Sequence, residues 1–380
     1  MTVFKFRVPQ DFVNDEILSA SRPNCEAIFI LTCSTNKEAS LLGDAFVAQR
    51  FLTLVSEFNH PTLIWEKSAI NALKSSPGAV LLLSCAILLS EVIHQLEGSV
   101  DIRLSTRNSL RDLVSSHTLA PNWFNLSDSI VCADYISRGW HPDFYSAPGL
   151  LKNRDEIEKL FDPIIEANIE GLQDAELLKK WKDSLVSVVY ELFENTHIHA
   201  RFDYNNADIR KDIMRAVTVR NIETYTGGNE SKISPRKRIK CLEISVFDSG
   251  VGIFGRSNQR HILEKDDLDD EWKNLRLCLE KHENDGPIIH THRGLGLYEA
   301  LRALHFLKGA IQIRTGRSHG YRSFFPGDIP QQMESKDSVN KPGMPKSRLL
   351  DFNDPYRPTA TLNQPMDGLV ARTLVPLSLS

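Results

Sequence analysis

Residues 183–200 carry the pattern that most restricts how this chain can fold. Apolar side chains recur there at steps of three and four residues, which predicts an amphipathic helix with one buried face. Beside that face, Glu191, Asn195 and His199 follow one another at intervals of four, so the helix aligns a carboxylate, an amide and an imidazole. A solvent-facing stripe looks the same, so this helix alone does not separate a structural role from a chemical one. The apolar positions are Leu185, Val188, Val189, Leu192 and Phe193.

A second pattern begins at residue 241. Residues 241–247 alternate between apolar and polar side chains, which predicts a strand with one face in the core. The strand runs directly into the sequence D-S-G-V-G-I at residues 248–253. An acidic residue at a strand end, followed by glycines, presents a carboxylate where the backbone can come very close to a ligand.

A third pattern is the sequence R-G-L-G-L at residues 293–297, which leads into a helical segment at 298–307. Glycines just ahead of a helix leave its first backbone N–H groups free for phosphate oxygens, and the helix dipole adds to the attraction. Between the second and third patterns, residues 257–287 are polar and charged. Helical spacing of apolar residues within that segment begins at Trp272 and includes Leu275, Leu277 and Leu279.

The N-terminal residues 1–150 are predicted to form an α/β domain, to which the sequence assigns no role. Strand-like apolar runs at 27–32, 62–65 and 79–83 alternate with helical spacing at 38–58 and 68–75. Residues 102–104 and 129–133 are assigned to the same sheet. His94 is placed on a helix without the acidic and proline neighbours of a phosphoacceptor, so it is interpreted as a surface histidine.

Residues 139–149, rich in turn formers and aromatics, mark the expected boundary with a second domain at 151–380. Two inserts are expected in that domain, at about 201–240 and at the proline-rich 326–366. The first holds a run of basic residues, which is either a solvated hairpin or loop or a patch for docking a partner. That run consists of Lys232, Arg236, Lys237, Arg238 and Lys240.

Net charge and cysteine content indicate which partners and which cellular compartment the sequence favours. A net charge of −4 over 380 residues does not indicate a nucleic acid or an anionic membrane as partner. The six cysteines include no C-x-x-C pair, which favours reduced thiols over a disulfide or zinc site. The longest apolar run, 79–90, is too short to span a bilayer, and the N-terminus lacks a signal-peptide pattern. We therefore expect a cytoplasmic protein without a membrane partner.

The three patterns occur in a fixed order: E-x-x-x-N on a helix, D-x-G-x-G after a strand, and G-L-G-L before a helix. In this order, residues 174–377 resemble the GHKL, or Bergerat-fold, ATP-binding domain of histidine kinases, type II topoisomerases, mismatch-repair ATPases and Hsp-type chaperones. The resemblance implies an α/β (α+β) fold. It implies a Bergerat-type sandwich with helices on one face of a mixed sheet, preceded here by a separate N-terminal domain.

The resemblance also implies roles for residues, with ATP and Mg²⁺ as cofactors. Asn195 would be the protein ligand of Mg²⁺, and Glu191 would be the catalytic base that polarises the attacking water. Asp248 would accept a hydrogen bond from the adenine amine. His199 matches a position often occupied by histidine in kinase-type members.

The glycine-containing segments complete the implied nucleotide site. Gly250, Gly252 and Ile253 would lie against the base. The phosphates would be wrapped at the start of the following helix, and residues 257–292 would form a mobile lid. The phosphate-binding residues implied are Arg293, Gly294, Leu295, Gly296 and Leu297.

Three departures from the family pattern accompany the match. Ile198 stands where kinase-type members commonly have a basic residue, and His292 replaces the first glycine of the third box. Leu369 follows Gly368 where a threonine is usual.

Three functions are consistent with the patterns. The chain contains neither a phosphoacceptor helix nor a transducer domain after the third box, which favours a Mg-dependent ATPase or an ATP-driven switch acting on a protein partner. The alternatives are a protein kinase acting in trans, as in the anti-sigma-factor branch, and a nucleotide-binding scaffold without turnover. A homodimer is compatible with each of the three.

Overall fold

The computed structural model describes residues 2–8, 27–33, 44–56, 58, 61–66, 93–96, 127–133, 144–147, 149–168, 175–203, 214–226, 237–260, 262, 265–279, 296–325, 349–354 and 359–377. Strands and helices alternate irregularly along these segments, and the fold is of the α+β class, as expected. The sequence predictions for 68–75, 79–83 and 102–104 lie outside the described residues.

A seven-stranded sheet with neighbouring strands antiparallel forms the centre of the C-terminal part. The strands are β5 (Ser127–Ala133), β8 (Met214–Thr226), β9 (Lys237–Asp248), β10 (Ala310–Thr315), β11 (Ser318–Ser323), β12 (Leu350–Asp351) and β13 (Leu369–Pro376). Their order in the sheet is β12-β11-β10-β13-β9-β8-β5. The expected mixed sheet is therefore wrong for these strands, because residue periodicity reveals which face is buried but not the direction of the neighbour.

Helices α2 (Arg154–Asn168), α3 (Ala175–Asn195) and α6 (Gly296–Phe306) form a layer on one face of this sheet. The period-two pattern of β9 explains the packing, because Leu242, Ile244 and Val246 all enter the same core as the apolar stripe of α3. Helices α3 and α6 pack along each other, which brings the start of α6 next to the C-terminal end of α3.

Helix α1 (Asp44–Ser56) packs against β9 and β13. It lies on the opposite face, because the Phe46 ring of α1 packs against His319 of β11 with centroids 5.2 Å apart. His319 pairs with Arg314 of β10, which alternates with the first-core residue Ile313. The expectation of helices on one face only is therefore wrong.

Glu243 of β9 is buried between two arginines. Burial by itself would raise the pKa of its carboxyl, but the charges of Arg372 and Arg220 hold that pKa below its ordinary value.

The N-terminal part contains a four-stranded parallel sheet with strands in chain order. The strands are β1 (Thr2–Val8), β2 (Ala27–Cys33), β3 (Thr62–Trp65) and β4 (Ile93–Leu96). His94 thus lies on a strand and not on a helix, as the adjacent β-branched Val92 and Ile93 favour. Strand β5, assigned from sequence to this sheet, instead pairs with β8 of the larger one.

The described residues of the first predicted insert, 201–240, include part of the core. Strand β8 is long and lies second from one edge of the sheet, and its residues Met214, Ala216 and Val217 are fully buried between β9 and β5. The second insert, 326–366, contributes β12 to the sheet edge, where Leu349 and Leu350 are buried. Both segments lack a strong apolar period over their whole length, which is why the sequence predicts surface loops for them.

The expected mobile lid, 257–292, contains a firmly packed helix. In α5 (Leu268–Leu277), Trp272 and Leu275 belong to the main core. Glu271 is 3 % exposed and accepts a hydrogen bond of 2.9 Å from the backbone N–H of Arg317, whose guanidinium also pairs with it. A buried ion pair is strongly destabilising to break, so in this conformation α5 is held in the core. The lid stays a prediction. Residues 280–292 lie outside the described part of the chain.

Strands β6 (Tyr145–Ala147) and β7 (Leu150–Leu151) form a small hairpin at the expected domain boundary. Tyr145 is buried against Phe193 of α3, so this hairpin is attached to the C-terminal core. Among the described residues, no helix has the length and apolarity needed to cross a membrane.

Candidate functional site

Helix α3 presents its predicted polar residues where its geometry changes. The apolar positions from Leu185 to Phe193 are all buried, which confirms the predicted face. After Asn195 the chain continues as a π-helical turn over Thr196–Ala200. Hydrogen bonds in such a turn connect i to i+5, and isolated π-turns are frequent at functional sites. The turn moves His199 around the axis relative to a regular i+4 stripe.

Asp248 is the last residue of β9 and is held by the turn that follows it. Its side chain is 6 % exposed, and its Oδ1 accepts a hydrogen bond of 2.9 Å from the backbone N–H of Gly250. Burial raises the pKa of Asp248 from 3.8 to about 7, and the N–H groups of Gly250 and Leu369 and the charge of Arg215 offset part of that rise. A buried carboxyl with a pKa near neutrality is typical of a functional site.

Two glycines, Gly250 and Gly252, shape the chain that follows Asp248. Gly250 lies against Ala200, because a Cβ atom on Gly250 would come within 2.8 Å of the Ala200 backbone. Gly252 has a φ angle of +69° at the start of helix α4 (Gly252–Asn258), a conformation that favours glycine. The two predicted glycines thus bring the end of β9 up to the π-turn of α3.

A cavity of about 300 Å³ lies between α3, the turn after β9, the start of α6 and β13. Its volume is at the lower end of the range for small-molecule sites. Seven of the residues predicted from sequence line it, although they come from three separate segments. These are Asn195, His199, Asp248, Gly252, Ile253, Gly296 and Leu297.

Glu191 and Asn195 meet the start of α6 at Gly296. A Cβ atom on Gly296 would lie 2.7 Å from Asn195 Nδ2 and 3.0 Å from Glu191 Oε2, so a larger residue would displace the ends of these two side chains. Burial raises the pKa of Glu191 to about 7, and the charge of Glu194 adds to the rise. A carboxyl that titrates near neutral pH is suited to general-base chemistry.

Asn195 Nδ2 is buried and has no hydrogen-bond partner in the described part of the chain. Such an atom is a mark of a ligand site, because buried polar groups are normally paired. The described segments hold no cluster of three or more His, Cys, Asp or Glu side chains suited to a metal. The amide oxygen of Asn195 is a donor of the type that Mg²⁺ prefers in proteins.

A buried cluster behind the cavity was not predicted from the sequence. Arg215 is fully buried beside Asp248 in the strand register and donates to the Tyr145 hydroxyl. Tyr145 Oη lies 3.2 Å from His197 Nδ1. Burial, with the charges of Arg215 and Arg201, lowers the pKa of His197 to about 4, so this imidazole is neutral at physiological pH.

Further lining residues were also missed. Arg256 and Ser257 lie on α4, one turn after Gly252, and this spacing could have identified them. Leu369 lines the cavity at the position where the family pattern has threonine. The other lining residues are Leu192, Thr196, Ala200, Gln259 and Cys278. Arg293, Gly294 and Leu295 of the third pattern lie outside the described residues.

Comparison of the chain with protein-family models, curated proteins and solved structures finds no match.

The raised pKa of Asp248 leads to a prediction on stability that does not depend on any ligand. In unfolded chains the carboxyl has a pKa near 3.8, against about 7 in the folded state. Its contribution to stability is therefore fully present below pH ~4 and is lost as the pH rises through ~7. We expect the stability of wild type relative to Asp248→Asn to fall between pH 5 and pH 8, as measured by urea unfolding. A difference that is constant over this range contradicts the assignment.

Proposed function

We propose that this chain binds ATP with Mg²⁺ in the cavity and hydrolyses it, as an ATPase or as an ATP-driven switch acting on a partner. The observation that carries the proposal is the convergence of three distant segments on one cavity. Asn195, Asp248 and Gly296 are separated by up to about a hundred residues in sequence, yet they line one small-molecule-sized space. Glu191 does not line the cavity itself and lies beside it, next to Gly296. The proposed fold is the GHKL, or Bergerat, type.

The base-binding part of the site is assigned to the turn after β9. The carboxyl of Asp248 is held by the backbone N–H groups of Gly250 and Leu369. Because a carboxylate offers about four acceptor sites, it can still accept a hydrogen bond from an adenine amine. Ile253 and Leu369 provide apolar surface beside it. A buried acceptor that must be paired discriminates against a base that cannot donate at the same position.

The phosphate-binding part is assigned to the start of α6. Gly296 exposes its backbone at the first turn of that helix, where N–H groups and the helix dipole favour an anion. Asn195 would hold Mg²⁺, which neutralises phosphate charge when it is bound. Glu191 lies against the same glycine, where it can take a proton from a water molecule.

The proposal is tested on the purified full chain by calorimetric titration with ATP, with and without Mg²⁺, and by release of inorganic phosphate. Binding that strengthens with Mg²⁺, together with phosphate release, supports the ATPase. Transfer of labelled phosphate to a protein partner would assign the kinase function, and binding with neither outcome would assign the scaffold. Absence of ATP binding overturns the proposal as a whole.

The basic run is expected to be dispensable for nucleotide binding. Lys237, Arg238 and Lys240 lie at the beginning of β9, whereas Asp248 ends the strand. Eight residues of strand from Lys240 to Asp248 correspond to about 27 Å, beyond the Debye length at physiological salt. Replacing all five basic residues of the run by glutamine should change ATP affinity by less than about twofold in calorimetry. Loss of binding in this variant would place the run in the site.

A further inference from the structure

Helix α1 is buried around its whole circumference at the positions whose side chains are described. Residues 45, 46 and 48–55 are each at most 6 % exposed, including the polar Gln49, Arg50 and Thr53. A helix that packs one face against a sheet leaves a polar face in solvent, so burial all round indicates that α1 lies between layers. Its polar side chains therefore need partners inside the protein.

Two of these side chains hold the segment just before β13. Gln49 Nε2 donates a hydrogen bond of 2.8 Å to the carbonyl oxygen of Asp367. The backbone N–H of Asp367 donates at 3.1 Å to Thr53 Oγ1, and that hydroxyl donates at 3.0 Å to the Gln49 carbonyl. Both backbone groups of Asp367 are thus fixed by residues more than three hundred positions earlier in the chain.

Gly368, which follows Asp367 in the chain, packs against Asp248. Its φ angle is +73°, and a Cβ atom there would lie 1.9 Å from the Asp248 carbonyl oxygen. The Gly368 carbonyl accepts a hydrogen bond of 2.9 Å from Thr315 Oγ1. That hydroxyl in turn accepts one of 3.2 Å from the backbone N–H of Ile253. A shift of Gly368 therefore moves the turn that carries Ile253.

We propose that Gln49 and Thr53 are positioning residues for the nucleotide cavity, acting from α1 through Asp367 and Gly368 on the wall formed by Asp248, Ile253 and Leu369. The identity of the ligand rests on the proposed function, whereas the mechanical connection does not. The N-terminal part of the chain thereby gains a defined role, because helix α1 sets the geometry of the base-binding wall. By linkage, a ligand that orders this wall also tightens the contact with α1.

The test compares Thr53→Val and Gln49→Met with Thr373→Val in the full chain. Thr373 is a matched control, because its buried hydroxyl also donates to a distant carbonyl, Ile244, on a part of β13 that does not line the cavity. We expect Thr53→Val and Gln49→Met to weaken ATP binding about three- to tenfold and Thr373→Val to leave it unchanged. Unfolding midpoints are measured for all three, so that lost affinity is separated from lost stability.

Hydrogen–deuterium exchange without nucleotide provides the readout that is independent of ATP. The Ile253 amide, which Thr53 does not touch, should exchange faster in Thr53→Val and at the wild-type rate in Thr373→Val. In wild type, added ATP should slow exchange at Asp367. The inference is overturned if the Ile253 amide of Thr53→Val exchanges at the wild-type rate and the variant binds ATP as tightly as Thr373→Val does. If wild type binds no ATP but the Ile253 amide still responds to Thr53→Val, the proposed function fails and the connection stands.

Discussion

Replacing Glu191 by glutamine is expected to lower ATP turnover by about 10²–10⁴-fold while ATP affinity stays within about threefold of wild type. The carboxylate acts on water only as the transition state forms, so its loss affects the rate and not ground-state binding. Glutamine has nearly the same size as glutamate, so it fills the same space beside Gly296. Phosphate release and calorimetric affinity are measured side by side at pH 8, where a carboxyl with a pKa of about 7 is ionised.

Glu194→Gln is the matched control for this prediction. Glu194 lies on the same helix, three residues further on, and its Oε1 accepts a hydrogen bond of 3.0 Å from the Tyr190 hydroxyl. Unlike Glu191, it is not among the groups nearest to Gly296, so its replacement should leave turnover within about threefold of wild type. Wild-type hydrolysis by Glu191→Gln would remove the hydrolase assignment and favour the kinase or the scaffold. Equal losses in both variants would show a general effect of charge on this end of α3.

The parts of this protein that could be predicted from sequence are those set by local periodicity and turn chemistry. The apolar stripe of α3 and the alternation of β9 each place their side chains without reference to the rest of the chain. The turn after Asp248 is similarly local, because Gly252 adopts a left-handed backbone that favours its residue type. Together with the polar stripe of α3 and the start of α6, the turn after Asp248 accounts for seven of the fifteen described residues that line the cavity.

The parts that could not be predicted depend on contacts between distant segments. Strand β8 is 13 residues long, but its place inside the sheet is decided by its pairing with β5 on one side and β9 on the other. Helix α1 looks like an ordinary α/β crossover helix, yet it covers the second face of the large sheet. The Glu271–Arg317 pair, which fixes α5, joins residues 46 positions apart that share no motif.

Asp248→Asn is expected to weaken ATP binding by about tenfold or more, equivalent to ~1–3 kcal/mol for a mismatched buried polar pair. One carboxylate oxygen of Asp248 is already engaged by the Gly250 N–H at 2.9 Å. An asparagine that keeps this hydrogen bond must turn its NH₂ group toward the ligand, where it meets the donor of the adenine amine. Calorimetry with ATP at pH 8 gives the affinity. Unchanged ATP affinity would refute the base-binding role of this residue.

Inosine triphosphate distinguishes lost recognition from general damage, because it carries a carbonyl where ATP carries the amine. Wild type should prefer ATP, whereas the asparagine in Asp248→Asn can donate to the carbonyl and should narrow or reverse that preference. Asp351→Asn serves as the matched control, since Asp351 is equally buried and accepts from the Thr361 N–H at 3.0 Å on the far edge strand. Asp351→Asn should lose stability without changing the ratio of the affinities for ATP and inosine triphosphate. A ratio that shifts equally in both variants would mean that Asp248 supports the turn and does not read the base.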